Sequence, residues 1–184
     1  MGPKKPNDLR VLRTKKNIRR AFLDMLCEMD YEQITIHELT ERAMINRKTF
    51  YLHYPTLDSL LQEVQQEMTE KFIERTKGME RPRDMDKVTR EFFLCSEELG
   101  KLGERLTCNG NPLGQRITYD IMSQTWKLHQ GGDPCVRNVI MSFVSQATLA
   151  MYRQWIADGK KIPLENIIKL AAQLICKGID SLEK

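Results

Sequence analysis

Apolar residues recur along this chain at the spacing of helices, and no segment keeps the period-two alternation of a strand. Ile18, Ala21, Phe22, Met25, Leu26 and Met29 fall at i, i+3, i+4, i+7, i+8 and i+11, with Thr14 placed before them as an N-cap, so a first helix is predicted over about 14–29. Thr35 can cap a second helix from Ile36, with Glu38 as the N3 member of a capping box and Ile36, Leu39 and Ala43 turned inward. Met44-Ile45-Asn46 leaves room only for a tight turn. Asn46 then caps a brief third helix from Arg47, which Pro55 ends by disfavouring helical geometry at Tyr54. Thr56 caps a fourth helix carrying Leu57, Leu60, Leu61, Val64, Met68 and Phe72, about five turns long, up to Gly78 and Pro82. Less sharply bounded helices follow at about 86–106, 113–129, 134–157 and 163–182, separated by TCNGNPLG, HQGGDP and DGKKIP. The prediction is an all-α protein of eight or nine helices.

Composition and charge narrow the class. At 184 residues with 41% apolar and 29% charged residues, the chain can bury a core and is expected to be globular and soluble. It has no run of 18 apolar residues to cross a bilayer and no apolar leader at MGPKKPNDLR, so a cytoplasmic location and no membrane contact are expected. The net charge of +4 is unevenly placed: residues 1–20 hold eight basic residues and one acid, a net +7, whereas residues 61–184 hold 18 basic and 17 acidic residues. A basic leading segment suits a nucleic-acid contact, and a merely solvated arm is the other reading of the charge. The five cysteines, Cys27, Cys95, Cys108, Cys135 and Cys176, form no CxxC pair or zinc set. Reduced, mostly buried thiols are expected; a redox role for one of them stays open, though nothing marks any as activated. No metal or cofactor is expected.

Residues Ile36 to Tyr54 have the size of a helix-turn-helix. Thr40 and Ala43 are small enough for the two helices to touch, and Ile45, Phe50 and Tyr54 anchor the second helix from below. Adjacent helical residues cannot face the same way, so of Phe50 and Tyr51 one is expected inward and one outward. Arg47, Lys48, Thr49 and Tyr51 would face out as donors for phosphate oxygens and base edges.

The string ITIHELTERAMINRKTFYLHYPTLDSLLQEV resembles the DNA-binding signature of the TetR family of bacterial transcription regulators, over about residues 10–64. The resemblance implies an N-terminal three-helix helix-turn-helix DNA-binding domain, residues 1–55 with the basic arm, and a C-terminal helical ligand-binding and dimerisation domain, residues 56–184. It implies that Thr35, Thr49, Tyr51 and His53 meet backbone phosphates while Arg47 and Lys48 reach bases; Thr14 is counted with the DNA-contacting residues. Two departures stand out. Met44 occupies a turn position where the family usually has glycine, so this turn must carry a side chain with some backbone strain. Leu57 stands where the family usually has a lysine, which removes one phosphate contact. On its own His53 would sooner be structural, and the run Arg13, Lys15, Lys16, Arg19, Arg20 is credited with general electrostatic attraction.

The resemblance also implies a Firmicutes-type C-terminal domain. The residues agree with a dimer: the 134–157 helix is apolar on more faces than one core contact needs, as is the last helix, so two helices could pair with their copies in a four-helix interface. An effector pocket is expected among the middle helices, with Phe92, Phe93, Tyr119, Met122 and Trp126 as candidate lining that suits a small apolar ligand, ordinary core being the other and favoured reading of these residues. No P-loop, GxGxxG or GxSxG is present, and His37-Glu38 lacks the second histidine of a zinc-protease helix, so an enzyme is not expected. The reading is a dimeric regulator, a repressor on a near-palindromic operator in double-stranded DNA, released by a small molecule. The alternative is a TetR-like protein that acts through a protein partner.

Overall fold

The structure, a computed structural model, describes residues 6–79, 83–107, 112–127 and 133–180. Among these residues there are nine α-helices and one 3-10 turn, and no strand: α1 Pro6–Leu26, the 3-10 turn Tyr31–Gln33, α2 Ile36–Arg42, α3 Arg47–His53, α4 Leu57–Arg75, α5 Met85–Glu98, α6 Lys101–Thr107, α7 Pro112–Lys127, α8 Pro134–Ala157 and α9 Leu164–Asp180. No described helix is long and apolar enough to cross a membrane.

Most helix starts are where the capping residues put them. Thr35 Oγ1 accepts the Glu38 N–H at 3.2 Å and Asn46 Oδ1 accepts the Lys48 N–H at 2.9 Å. The Glu38 carboxylate is turned to Arg42, whose Nη2 donates to it at 2.8 Å. Thr56 and Ser59 cap α4 reciprocally, each side-chain oxygen accepting the other's N–H, at 3.1 and 3.3 Å. Asp133 caps α8 through the Cys135 N–H, with Pro134 at the first helical position.

Two boundaries differ most from the sequence-based expectation. The first helix begins at Pro6, not at 14; proline is pre-shaped for a first helical position, and Thr14 is no N-cap but a mid-helix residue whose hydroxyl donates to the Arg10 carbonyl at 2.9 Å. The expected 86–106 helix is broken in two, because Gly100 takes φ +55° after Leu99 and ends α5 with a left-handed residue.

The chain forms two compact units, residues 1–67 and 68–184, and passes from one to the other inside α4. In the first, Ile18, Phe22, Met25, Leu39, Phe50 and Leu60 are fully buried. The early turns of α4 are tied to the same unit by polar bonds: Lys15 Nζ to Glu63 at 2.8 Å, Tyr54 Oη to Glu63 at 2.8 Å, Tyr31 Oη to Asp58 at 2.5 Å, and an ion pair between Arg19 and Glu67. In the second unit α5 packs along α9 and against α8. Tyr152 is fully buried at its centre, edge-on to Phe92 and Phe93, with its hydroxyl donating to Glu97 at 2.6 Å. Trp155 donates to the Ile162 carbonyl at 2.6 Å and lies under Lys160 Nζ, 5.3 Å from the ring centre.

Candidate nucleic-acid interface and regulatory unit

The corner between α2 and α3 is built as the spacing requires. Leu39, Thr40 and Ala43 are buried where the helices meet, and Phe50 and Tyr54 are buried beneath α3, their rings 5.7 Å apart. Met44 makes the turn with φ +52° and its side chain 92% exposed, so the strain expected of a non-glycine residue here is present. Of the adjacent aromatics, Phe50 points in and Tyr51 out, the latter 53% exposed. Arg47 and Lys48 are exposed beside it, while Thr49 and His53 are half-buried at the edges of α3. Thr35 is exposed; its oxygen caps α2, and its hydroxyl hydrogen is left to donate elsewhere. Six of the seven predicted DNA-contacting residues thus lie on α2–α3 or its caps. Thr14 lies apart on α1, with its proton engaged by Arg10. Leu57 opens α4 half-buried and supplies no cation.

The basic leading helix divides into two sets. Lys15 and Arg19 turn toward α4, where they hold Glu63 and Glu67, and Lys15 also lies 5.1 Å from the centre of the Tyr54 ring. Burial alone would raise the Glu63 carboxyl, but the hydrogen bonds from Lys15 and Tyr54 outweigh it and hold the group below its ordinary value. The same burial, followed by the bond to Glu63, pushes the Tyr54 phenol far above its usual range, so it is a permanent donor. Arg10, Arg13, Lys16 and Arg20 remain exposed. Periodicity could have found this division, since 15 and 19 are one turn apart and flank Ile18 and Phe22.

The second unit holds a cavity of about 80 Å³ lined mainly by α5, α6 and α7, with Phe92, Cys95, Leu106, Ile117 and Ile121 among its walls. Of the residues expected to line a pocket, Phe92 does. Phe93 instead fills the core against Tyr152, and Tyr119 is 46% exposed, because α7 turns Ile117, Thr118 and Ile121 inward and the helical repeat puts Tyr119 on the opposite side. Met122 and Trp126 lie outside the described side chains. Two glycines in the wall were not anticipated. A Cβ on Gly103 would sit 2.2 Å from the Ser96 carbonyl oxygen, and one on Gly114 would sit 1.5 Å from that of Leu106. Cys95 reaches the cavity and accepts a hydrogen bond from Arg75 at 3.1 Å; burial nevertheless pushes its thiol up, against the opposing pull of Arg75. The thiols are less buried than expected: Cys27, Cys95 and Cys176 are half-buried and Cys135 is exposed, none of these four in a disulfide, while Cys108 lies outside the described residues.

On α8 one side is core, with Met141, Val144, Thr148, Leu149 and Tyr152 buried. Another side carries Val136, Val139 and Phe143 at 54%, 70% and 54% exposure. On α9, Leu170 and Leu174 are likewise outward at 43% and 57%. These residues form apolar rows on two consecutive helices that the monomer leaves in water.

Among the described residues, a helix-turn-helix unit is followed in the chain by a second all-helical unit, and solved structures share this fold. The TetR transcriptional regulator of Streptococcus agalactiae 2603V superposes with a TM-score of 0.71 at 18% identity, over 92% of this chain and 97% of that one. NalD, described as the secondary repressor of the MexAB-OprM multidrug efflux pump in Pseudomonas aeruginosa, superposes with a TM-score of 0.64 at 14% identity, over 92% and 96%. In sequence, 68 residues are 43% identical to YxbF of Bacillus subtilis, an uncharacterized HTH-type transcriptional regulator; the match spans 36% of this chain and 18% of that protein's length. No family model matches. The chain has the fold of the TetR-family transcription regulators, and the proteins it resembles are described as transcription regulators.

Proposed function

We propose that this protein is a homodimeric DNA-binding transcription regulator, a repressor released by a small apolar effector. The observation that carries the reading is the outward face of α3, where Arg47, Lys48 and Tyr51 project together from a helix locked underneath by Phe50 and Tyr54. In this reading Arg47 and Lys48 reach base edges in the major groove, and Thr35, Thr49, Tyr51 and His53 contact phosphates around them. Thr14 would have to release Arg10 to join them. The exposed rows of α8 and α9 pair with their copies as the Firmicutes-type dimer helices, which sets two heads roughly 34 Å apart or somewhat more on a near-palindromic operator. The cavity is well below the ~300–1,000 Å³ of typical small-molecule sites, so an effector of that size binds only as α6 and α7 part.

The test is fluorescence anisotropy on duplex DNA from the protein's own upstream region, titrated with salt. A saturable complex that weakens with salt, and weakens again in Arg47→Ala and Lys48→Ala, supports the reading. Binding that ignores sequence, or variants that bind as the parent does, would sink it.

A further inference from the structure

Met44 and Leu52, at 92% and 81%, are the two most exposed large apolar side chains among the described residues, and both belong to the helix-turn-helix. Folding explains neither. Leu52 lies on α3 one turn beyond Lys48, next to Tyr51, on the face opposite Phe50. Met44 keeps its side chain at φ +52°, a conformation glycine would take without strain, so the fold gains nothing from it. Arg47 and Lys48 lie between them in the chain, both exposed, and α3 contains no acid. Exposed lysine is depleted at protein–protein interfaces, whereas a cationic face with a few apolar groups complements the major groove, where phosphates border a base floor whose one apolar group is the thymine C5-methyl.

We propose that Leu52 and Met44 read thymine methyl groups, making the operator's thymine positions a specificity determinant of this head. The inference rests on the DNA-binding reading above and goes beyond it by naming the bases and the residues. Burying one methyl-sized group against an apolar side chain is worth about fourfold in affinity.

The test uses the full chain and a duplex it selects from a random pool, resynthesised with deoxyuridine replacing thymidine at one symmetric pair of positions at a time. Uracil pairs as thymine does and lacks only the methyl. The expected result is a rise in Kd of about fourfold per contacted methyl at one or two positions in the parent protein. In the double variant Met44→Gly, Leu52→Ala the thymine and uracil duplexes should bind alike. Both changes are at exposed positions, and circular dichroism checks that the variant is folded. Equal binding of both duplexes by the parent overturns the proposal, as does a variant that discriminates like the parent. Failure to select any duplex overturns the DNA-binding reading itself, a result distinct from selecting one and ignoring its methyls.

Discussion

Gly114→Ala is the substitution at which local and tertiary arguments demand opposite signs. Gly114 lies in the first turn of α7, where alanine is the better helix former by roughly 1 kcal/mol. The new Cβ, however, would stand 1.5 Å from the Leu106 carbonyl oxygen and 2.5 Å from its carbon, so α6 and α7 must move apart by about 1.5 Å before the contact is even tolerable. The obstacle is main chain within α6 and cannot rotate away. Overpacking of this kind costs about 3 kcal/mol, the upper end of the usual range, which leaves a net loss of about 2 kcal/mol after the helix gain. For a unit of this size that is a fall in Tm of about 6–10 °C. Both tryptophans, Trp126 and Trp155, belong to residues 68–184, so tryptophan fluorescence at fixed protein concentration reports this unit's unfolding. A Tm equal to or above the parent's would refute the close approach and with it the tightness of the cavity wall.

Other outcomes follow from the same structure. Val139→Glu and Phe143→Glu place charge on exposed positions of α8, so each should fold with little change in helicity and yet elute as a monomer by light scattering; a persistent dimer would move the proposed interface elsewhere. Lys15→Met removes the cation from the half-buried Glu63 and should lower the stability of the head by about 1 kcal/mol, seen as faster amide exchange in α1 and α4, without altering the salt slope of DNA binding. Lys16→Ala, at an exposed position, should do the reverse, leaving exchange unchanged and flattening the slope by about 0.9 if it meets a phosphate. Glu98 is held down at about 2 by hydrogen bonds from Arg75 and then Lys71. A depressed carboxylate contributes stability above the ordinary glutamate pKa and loses it as pH falls toward the folded value, so the Tm gap between the parent and Glu98→Gln should close between about pH 4.5 and 2. A gap that stays constant over that window would contradict the pairing.

Much of the head is legible in one dimension because its determinants are local. Caps, turn and periodicity lie within a few residues of one another, so Thr35, Asn46 and Thr56 mark helix starts, and the spacing of Phe50, Tyr51 and Tyr54 decides which ring is buried. The strain at Met44 follows from the resemblance, which puts a glycine at that turn position, and the structure shows it as a positive φ. The start of α1 is equally local, with Pro6 at the first position and the apolar row from Ile18 more than two turns further on.

Other features depend on residues far apart in the chain, and only the tertiary structure decides them. Whether Lys15 serves DNA or Glu63 depends on a partner 48 positions away, and charge counts treat it like Lys16. Gly103 and Gly114 look like ordinary helix weaknesses until Ser96 and Leu106 bring their carbonyls against them. Apolar and aromatic character does not by itself place a side chain in a pocket: Phe93 packs on Tyr152 and Tyr119 faces outward, because cavities are what packing leaves unfilled. By itself the amino-acid sequence determined the helices, the corner and the chemistry on its outer face, since backbone hydrogen bonds and side-chain periodicity act over a few residues. Which charges are spent internally, which apolar rows stay uncovered and how little space remains among α5, α6 and α7 were decided by the tertiary structure, where close packing brings distant residues within reach of one another.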